Sequence, residues 1–141
     1  MNISSEQEMI KCGRDFADTL KPRENEAIVI ELVGDVGAGK TTFVRGLAEG
    51  LGVKEAVTSP SFTISKTYAR PGGSLVHYDF YRLNEPGLMS EDLEEKIANP
   101  KNIIVLEWSE SVQDILPENH IKITINYNDD DTREVNYENI S

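Results

Sequence analysis

A glycine-rich run in the first half of the chain has the residue types and spacing that bind phosphate. The run reads Gly34-Asp35-Val36-Gly37-Ala38-Gly39-Lys40-Thr41, followed by Thr42, and it fits the pattern G-x-x-x-x-G-K-[ST] at every fixed position. Glycines let successive backbone N–H groups converge on a phosphate, Lys40 can reach the β- and γ-phosphates, and the Thr41 hydroxyl can bind Mg²⁺. The run therefore predicts a site for a nucleoside triphosphate and magnesium.

The segments on either side of this phosphate loop support the prediction. Residues 27–33 are mostly apolar and mostly β-branched, which is typical of a buried parallel strand. After the loop, apolar residues recur at helical spacing, namely Phe43, Val44, Leu47, Ala48 and Leu51. A strand, a loop and a helix in this order direct a helix N-terminus at the phosphates. This context disfavours a glycine-rich turn that matches the pattern by chance.

Two acidic residues that follow predicted strands could complete the magnesium site. Glu107 comes directly after the apolar residues 103–106, and Asp79 ends a strand that begins near Leu75. The carboxyl ends of parallel strands form the edge at which open α/β sheets bind ligands. A surface salt bridge for Glu107 and a turn cap for Asp79 remain alternatives.

Other residues carry weaker signals for the same site. Thr58 and Thr63 lie in the connector after the predicted helix, where a hydroxyl could sense the γ-phosphate, but a Ser-Pro turn explains this stretch equally well. Trp108 could pack against nucleotide or a partner, or could be an ordinary packed tryptophan. We interpret His77 as a hydrogen-bonded strand residue rather than a catalyst.

Composition limits the classes of protein to which the chain can belong. At 141 residues we expect a single domain over 1–141, and the one cysteine, Cys12, suits a reducing cytoplasm. We expect neither a signal peptide nor a membrane span. A net charge of −11 argues against direct binding to nucleic acid, so any RNA in the pathway would be held by a partner.

The remaining periodicities predict a mixed sheet flanked by helices. We expect a helix from a Ser5–Glu8 capping box to Leu20, before Pro22. A hairpin should follow, with strands over 62–68 and 75–80, and a helix over 90–98. The predicted elements after the strand at 103–106 are a short helix over 109–115 and a terminal hairpin formed by 121–125 and 133–137. The fold class is therefore α/β, that of a P-loop NTPase with parallel and antiparallel strands.

Four blocks together resemble the TsaE (formerly YjeE) family, the small bacterial ATPases of tRNA threonylcarbamoyladenosine synthesis. The blocks are the phosphate loop, residues 58–63, His77-Tyr78-Asp79-Phe80-Tyr81-Arg82-Leu83 and Leu106-Glu107-Trp108, in family order over essentially the whole chain. The resemblance implies ATP and Mg²⁺ as cofactors. It also implies that ATP hydrolysis resets a complex of TsaB and TsaD, while tRNA is bound only through these partners. One departure is residues 89–95, where the family usually has a glycine.

The resemblance also implies roles for individual residues. Thr41 and Glu107 match the magnesium positions, and Asp79 matches an aspartate needed for turnover, so that Asp79, Lys40 and Glu107 form the catalytic set. Glu6 matches a position near the nucleotide, and Arg133 or Thr132 matches a C-terminal contact. The implied nucleotide-binding residues are Glu6, Val36, Gly37, Ala38, Gly39, Lys40, Thr41, Thr42, Asp79 and Arg133.

Two other functions use the same loop. A small-molecule kinase usually needs an arginine-rich lid, for which the chain offers no obvious insertion. A GTP switch would need an Asn-Lys-x-Asp stretch, which the sequence lacks. No arginine finger is identifiable in the sequence, although Arg82 and Arg133 are candidates, so we expect slow ATP hydrolysis that a partner accelerates.

Overall fold

The computed structural model describes residues 2–35, 37–58, 65–80 and 88–139. Its centre is a seven-stranded sheet in the order β1-β7-β6-β2-β5-β4-β3. In chain order the strands are β1 (Asn2–Ile3), β2 (Ile28–Gly34), β3 (Ser65–Arg70), β4 (Gly73–Asp79), β5 (Asn102–Glu107), β6 (Ile121–Tyr127) and β7 (Arg133–Asn139).

The sheet combines a parallel centre with antiparallel edges. Strand β2 pairs in parallel with β5 and β6, and β5 pairs in parallel with β4. The β3–β4 hairpin closes one edge, and β7 and β1 extend the other in antiparallel pairs. This arrangement confirms the predicted fold class and both hairpins. The part of the first hairpin strand predicted over 62–64 lies outside the described residues.

Helices cover both faces of the sheet. Helices α1 (Glu6–Ala17) and α2 (Lys40–Gly50) pack on one face. Helix α3 (Leu88–Ile97) and the 3-10 helix Ser109–Ile115 pack on the other. Alternation along each strand supplies a separate hydrophobic core to each face, since Ile103 and Val105 point to the first and Ile104 and Leu106 to the second.

Glycines allow α1 and α2 to approach closely. A Cβ on Gly13 would overlap the Phe43 carbonyl oxygen, and a Cβ on Gly46 would overlap the Ile10 carbonyl oxygen. Each helix therefore places a glycine against the backbone of the other, which fixes the position of α1 over the sheet. Among the described residues, no helix has both the length and the apolar character needed to cross a membrane.

Helix α1 begins after its predicted N-cap, Ser5, but ends earlier than predicted. It ends at Ala17 rather than Leu20, because the N–H groups of Asp18, Thr19 and Leu20 donate to carbonyls three residues earlier and tighten the chain out of the α-helix. At its start the Ser5 hydroxyl accepts from the Glu8 N–H, as in a capping box. Glu8, however, accepts from the backbone N–H of Ser4 at 2.7 Å.

Candidate nucleotide-binding site

The phosphate loop connects β2 to α2 at the carboxyl edge of the parallel strands. Gly39 precedes the first residue of α2 with φ of 107°, a conformation that a Cβ would strain. The Asp35 N–H donates to the Ile125 carbonyl at 3.2 Å, which ties the loop to β6. No side-chain cap bond is made at the N-cap of α2 within the described part of the chain, and the first N–H groups of the helix and its positive dipole end face the space above the sheet edge. Val36 lies outside the described residues.

Lys40 is a buried cation at the start of α2. Its Nζ donates to the Gly34 carbonyl at 3.1 Å and lies 4.0 Å from Oε1 of Glu107. The same amine lies 5.0 Å from the centre of the Trp108 ring, within cation–π range. The positive charge is thus held at the loop by a carbonyl, a carboxylate and an aromatic face.

The two predicted carboxylates lie on adjacent strands. Asp79 of β4 is paired in register with Glu107 of β5, so both reach the same edge of the sheet. His77, fully buried two residues before Asp79, lies with Nε2 at 2.6 Å from Oε2 of Glu107. Because an ionised carboxylate only accepts, Nε2 is the donor. This bond agrees with the interpretation of His77 as a hydrogen-bonded strand residue and holds one oxygen of Glu107 in place.

These side chains surround a pocket of about 390 Å³, which we call the phosphate-side pocket. It is lined by Gly37, Gly39, Lys40, Thr41, Thr42, Asp79, Glu107 and Trp108. A hydroxyl and two carboxylates supply the oxygen ligands that Mg²⁺ prefers. The described residues contain no cluster of three or more His, Cys, Asp or Glu placed to hold a metal ion. Mg²⁺ at a nucleotide usually takes one or two protein oxygens, together with phosphates and water, so the residues present fit it.

A second pocket of about 330 Å³, the α1-side pocket, borders the phosphate loop where α1 begins. It shares Gly37, Gly39 and Thr42 with the phosphate-side pocket and adds Glu6 and Arg133. The β1–β7 pairing brings residues from the two ends of the described chain together here. Arg133, rather than Thr132, lines this pocket, and Thr132 instead hydrogen bonds to Asp130 and Asn128.

Several predicted candidates lie elsewhere. The Thr58 hydroxyl accepts from Lys66 of β3 at 2.7 Å, and Thr58 lines neither of the two pockets. Thr63 and Arg82 lie outside the described residues.

Tyr78 and Phe80 are core residues, as expected. Burial first, and then a hydrogen bond to Asp92, raise the pKa of Tyr78.

The sequence provided no signal for Tyr127, which contacts the phosphate loop from the end of β6. Its hydroxyl donates to the Gly37 carbonyl at 2.6 Å, and its backbone N–H donates to Asp35 Oδ2 at 3.0 Å. The guanidinium of Arg133 lies 4.1 Å from the centre of its ring. Tyr127 thereby connects the phosphate loop to Arg133, which lines the α1-side pocket.

A buried carboxylate, Glu31, was also missed, although a glutamate inside an apolar strand could have indicated it. It accepts hydrogen bonds from Ser109 Oγ at 2.6 Å, from Gln113, and from His120 Nε2 at 3.2 Å. Burial alone raises the pKa of Glu31, but the three hydrogen-bond donors outweigh it and hold the pKa below the ordinary value.

Comparisons with known proteins are consistent with this geometry. Residues 3–135 match the model of a family described as "Threonylcarbamoyl adenosine biosynthesis protein TsaE". A protein from Haemophilus influenzae named "tRNA threonylcarbamoyladenosine biosynthesis protein TsaE" is 41% identical over 91% of this chain and 82% of its own length. One of the same name from Bacillus subtilis is 37% identical over 84% of this chain and 82% of its own length.

A solved structure shares the fold. The crystal structure of Bacillus subtilis YdiB superposes with a TM-score of 0.81 at 31% sequence identity, over 100% of this chain and 84% of that one. The mixed seven-stranded sheet, with its glycine loop between β2 and α2, is thus a P-loop NTPase fold. With a matching family model over most of its length and relatives of this identity, the chain belongs to the TsaE family.

Proposed function

We propose that this chain binds ATP with Mg²⁺ and hydrolyses it slowly, as a subunit of the machinery that makes threonylcarbamoyladenosine in tRNA. The observation that carries the proposal is the convergence of Lys40, Thr41, Asp79 and Glu107 on one pocket at the N-terminus of α2. In this pocket one cation and a helix N-terminus can neutralise phosphate charge beside two carboxylates.

The charged and polar residues of the two pockets have distinct tasks in this proposal. The loop amides and Lys40 bind the β- and γ-phosphates. Thr41 and Glu107 would hold Mg²⁺, which would offset the charge of the phosphates when bound. Asp79, one strand away from Glu107, orients the attacking water. Glu6 and Arg133 in the α1-side pocket contact the nucleoside end of ATP.

A feature of the same pocket favours slow turnover. Among the described residues that line the phosphate-side pocket, Lys40 is the only cation. Phosphoryl transfer builds charge on the transferred group, and fast NTPases add an arginine finger from the same chain or from a partner. We therefore propose that a TsaB–TsaD complex completes the site and that hydrolysis resets that complex. The net charge of −11 fits a subunit that leaves tRNA to its partners.

ATP hydrolysis by the purified chain, alone and with cognate TsaB and TsaD, tests the proposal. We expect slow release of phosphate alone and strong stimulation by the complex. Lys40→Ala should lose both rates. Lys11→Ala, at an exposed lysine that pairs with Asp15 on α1, is the matched control and should keep both rates. Fast hydrolysis without partners would contradict the proposal. Phosphate transfer to a small acceptor would instead support a kinase.

A further inference from the structure

Four side chains form a polar cluster on the face of the sheet opposite α1 and α2, and all of them except the exposed Gln113 are buried. We call Glu31, Ser109, Gln113 and His120 the Glu31 cluster. Oε2 of Glu31 accepts from Ser109 and Gln113, and Oε1 accepts from His120. Glu31 lies on the central strand β2, whereas its three donors all lie in the connection between β5 and β6. One carboxylate therefore holds both ends of that connection against the middle of the sheet.

The cluster is adjacent in sequence to Trp108, which lines the phosphate-side pocket. Trp108 has φ of 55° and ψ of 51°, a left-handed conformation that a residue with a side chain adopts only when its surroundings impose it. Both neighbours in sequence are anchored. Glu107 is bonded to His77 on the α2 face of the sheet, and Ser109 is bonded to Glu31 on the opposite face. The strained residue is thus held from both sides.

We infer that the Glu31 cluster positions Trp108, and through it Lys40, for nucleotide phosphates. Ser109 and Glu31 are positioning residues in this inference, since neither lines the phosphate-side pocket. The link to the site is the Trp108 ring, 5.0 Å from Lys40 Nζ. The inference rests on the proposed ATP site and assigns that site a support on the far side of the sheet.

The chemistry of the cluster favours positioning over stability alone. A carboxylate in the central strand must lose its water, and an apolar residue of similar size would often serve the fold as well. Hydrogen bonds to fixed donors have a directional requirement that apolar contacts lack. The turn observed at Trp108 carries the chain from β5 to the position where the Ser109 hydroxyl donates to Glu31.

Removal of one hydroxyl tests the inference. Ser109→Ala deletes the donor next to Trp108 and leaves Gln113 and His120 on Glu31. Ser111→Ala is the matched control, because it makes the same change two residues later, at a buried hydroxyl without a hydrogen-bond partner among the described residues. Trp108 is the only tryptophan of the chain, so its intrinsic fluorescence reports its position directly. The measurements are acrylamide quenching of Trp108, and KM and kcat for ATP, well below the thermal midpoint of each variant.

We expect Ser109→Ala to increase the quenching of Trp108 and to raise KM for ATP about fivefold. This is less than the full loss of one hydrogen bond to a charged group would produce, because the bond acts on the ATP site only through Trp108. The kcat should change less, and Ser111→Ala should match the unmodified chain. Equal quenching and equal KM in both variants would overturn the inference. If Ser109→Ala does not fold, Glu31→Gln, which keeps the size of the side chain, is judged by the same criteria. If the unmodified chain itself fails to bind ATP, the proposed function is wrong, and the quenching comparison still tests the positioning of Trp108.

Discussion

The two carboxylate oxygens of Glu107 have different surroundings. Its Oε2 is occupied by His77 at 2.6 Å, within the buried part of β4 and β5. Its Oε1 lies 4.0 Å from Lys40 Nζ at the phosphate-side pocket. One oxygen is therefore fixed by the protein, and the other is directed to the place where phosphate and magnesium would bind. A ligand that is held in place before metal binding loses little conformational freedom on binding it.

Glu107→Gln tests whether the carboxylate of Glu107 contacts magnesium. The amide keeps the shape of the carboxylate but loses its charge, so we expect affinity for MgATP to fall about tenfold, as loss of one charged interaction implies. Affinity for ATP in excess EDTA should stay nearly constant. Calorimetric titration with and without magnesium measures both.

The control for this comparison is Glu110→Gln, an exposed glutamate on the adjacent 3-10 helix. It should leave both affinities unchanged. An equal loss for Glu107→Gln with and without magnesium would mean that Glu107 supports the pocket without contacting the metal.

Among the elements, the α1–α2 pair links packing to the site. The backbones of the two helices touch at Gly13 and Gly46, and α1 begins at Glu6, which lines the α1-side pocket. Helix α2 begins at Lys40, in the phosphate-side pocket. The contact between the helices therefore sets the distance between the two ends of the proposed nucleotide site.

Gly46→Ala tests this link. Alanine favours the helix by about 1 kcal/mol over glycine. Its Cβ, however, would overlap backbone atoms of Ile10, which cannot move without moving α1. Overpacking of this kind costs about 1–3 kcal/mol and should exceed the gain. We expect lower stability in urea unfolding and weaker ATP binding, as Glu6 is displaced.

Glu49→Ala, on the exposed side of the same helix, serves as the comparison, because it removes only a surface ion pair with Arg14. Unchanged stability in Gly46→Ala would show that the helix pair can separate freely and that its spacing does not control the site.

The elements also show what local sequence could predict. Strand β2, the phosphate loop and α2 follow from residue types alone, because loop glycines and alternating or helical apolar patterns are local signals. Strand β5 and its terminal Glu107 were predicted for the same reason. Tyr127 and Glu31 were missed because their partners, Gly37 and His120, are each about ninety residues away in sequence. The end of α1 at Ala17 was missed because tightened final turns leave no apolar signature.

At the scale of the whole molecule, the Glu31 cluster makes stability depend on pH. The pKa of Glu31 in the folded chain lies below the ordinary value of 4.5. The unfolded chain therefore takes up this proton at a higher pH than the folded chain does. The contribution of Glu31 is fully present above the ordinary value and is lost as the pH falls through the folded pKa.

Glu31→Gln should reveal this dependence. Near neutral pH we expect the variant to be less stable by about 1–3 kcal/mol, because hydrogen bonds to a charged group are lost. The difference from the unmodified chain should stay constant down to about pH 4.5 and shrink below it. Urea unfolding at a series of pH values measures the difference. Glu138→Gln, exposed on β7, controls for the change in net charge. A difference that persisted unchanged in acid would remove Glu31 as its source.

The pairing of β1 with β7 has a consequence for how the protein is made. Asn2 and Glu134 are partners in this pair, and the α1-side pocket takes Glu6 from one side of it and Arg133 from the other. On the ribosome the phosphate loop emerges long before β7 is synthesised, and contacts between such distant residues form late. A nascent chain that ends before Arg133 contains the phosphate loop but lacks the β7 side of the α1-side pocket. The proposed nucleotide site is therefore complete on its α1 side only after the C-terminal hairpin has been synthesised.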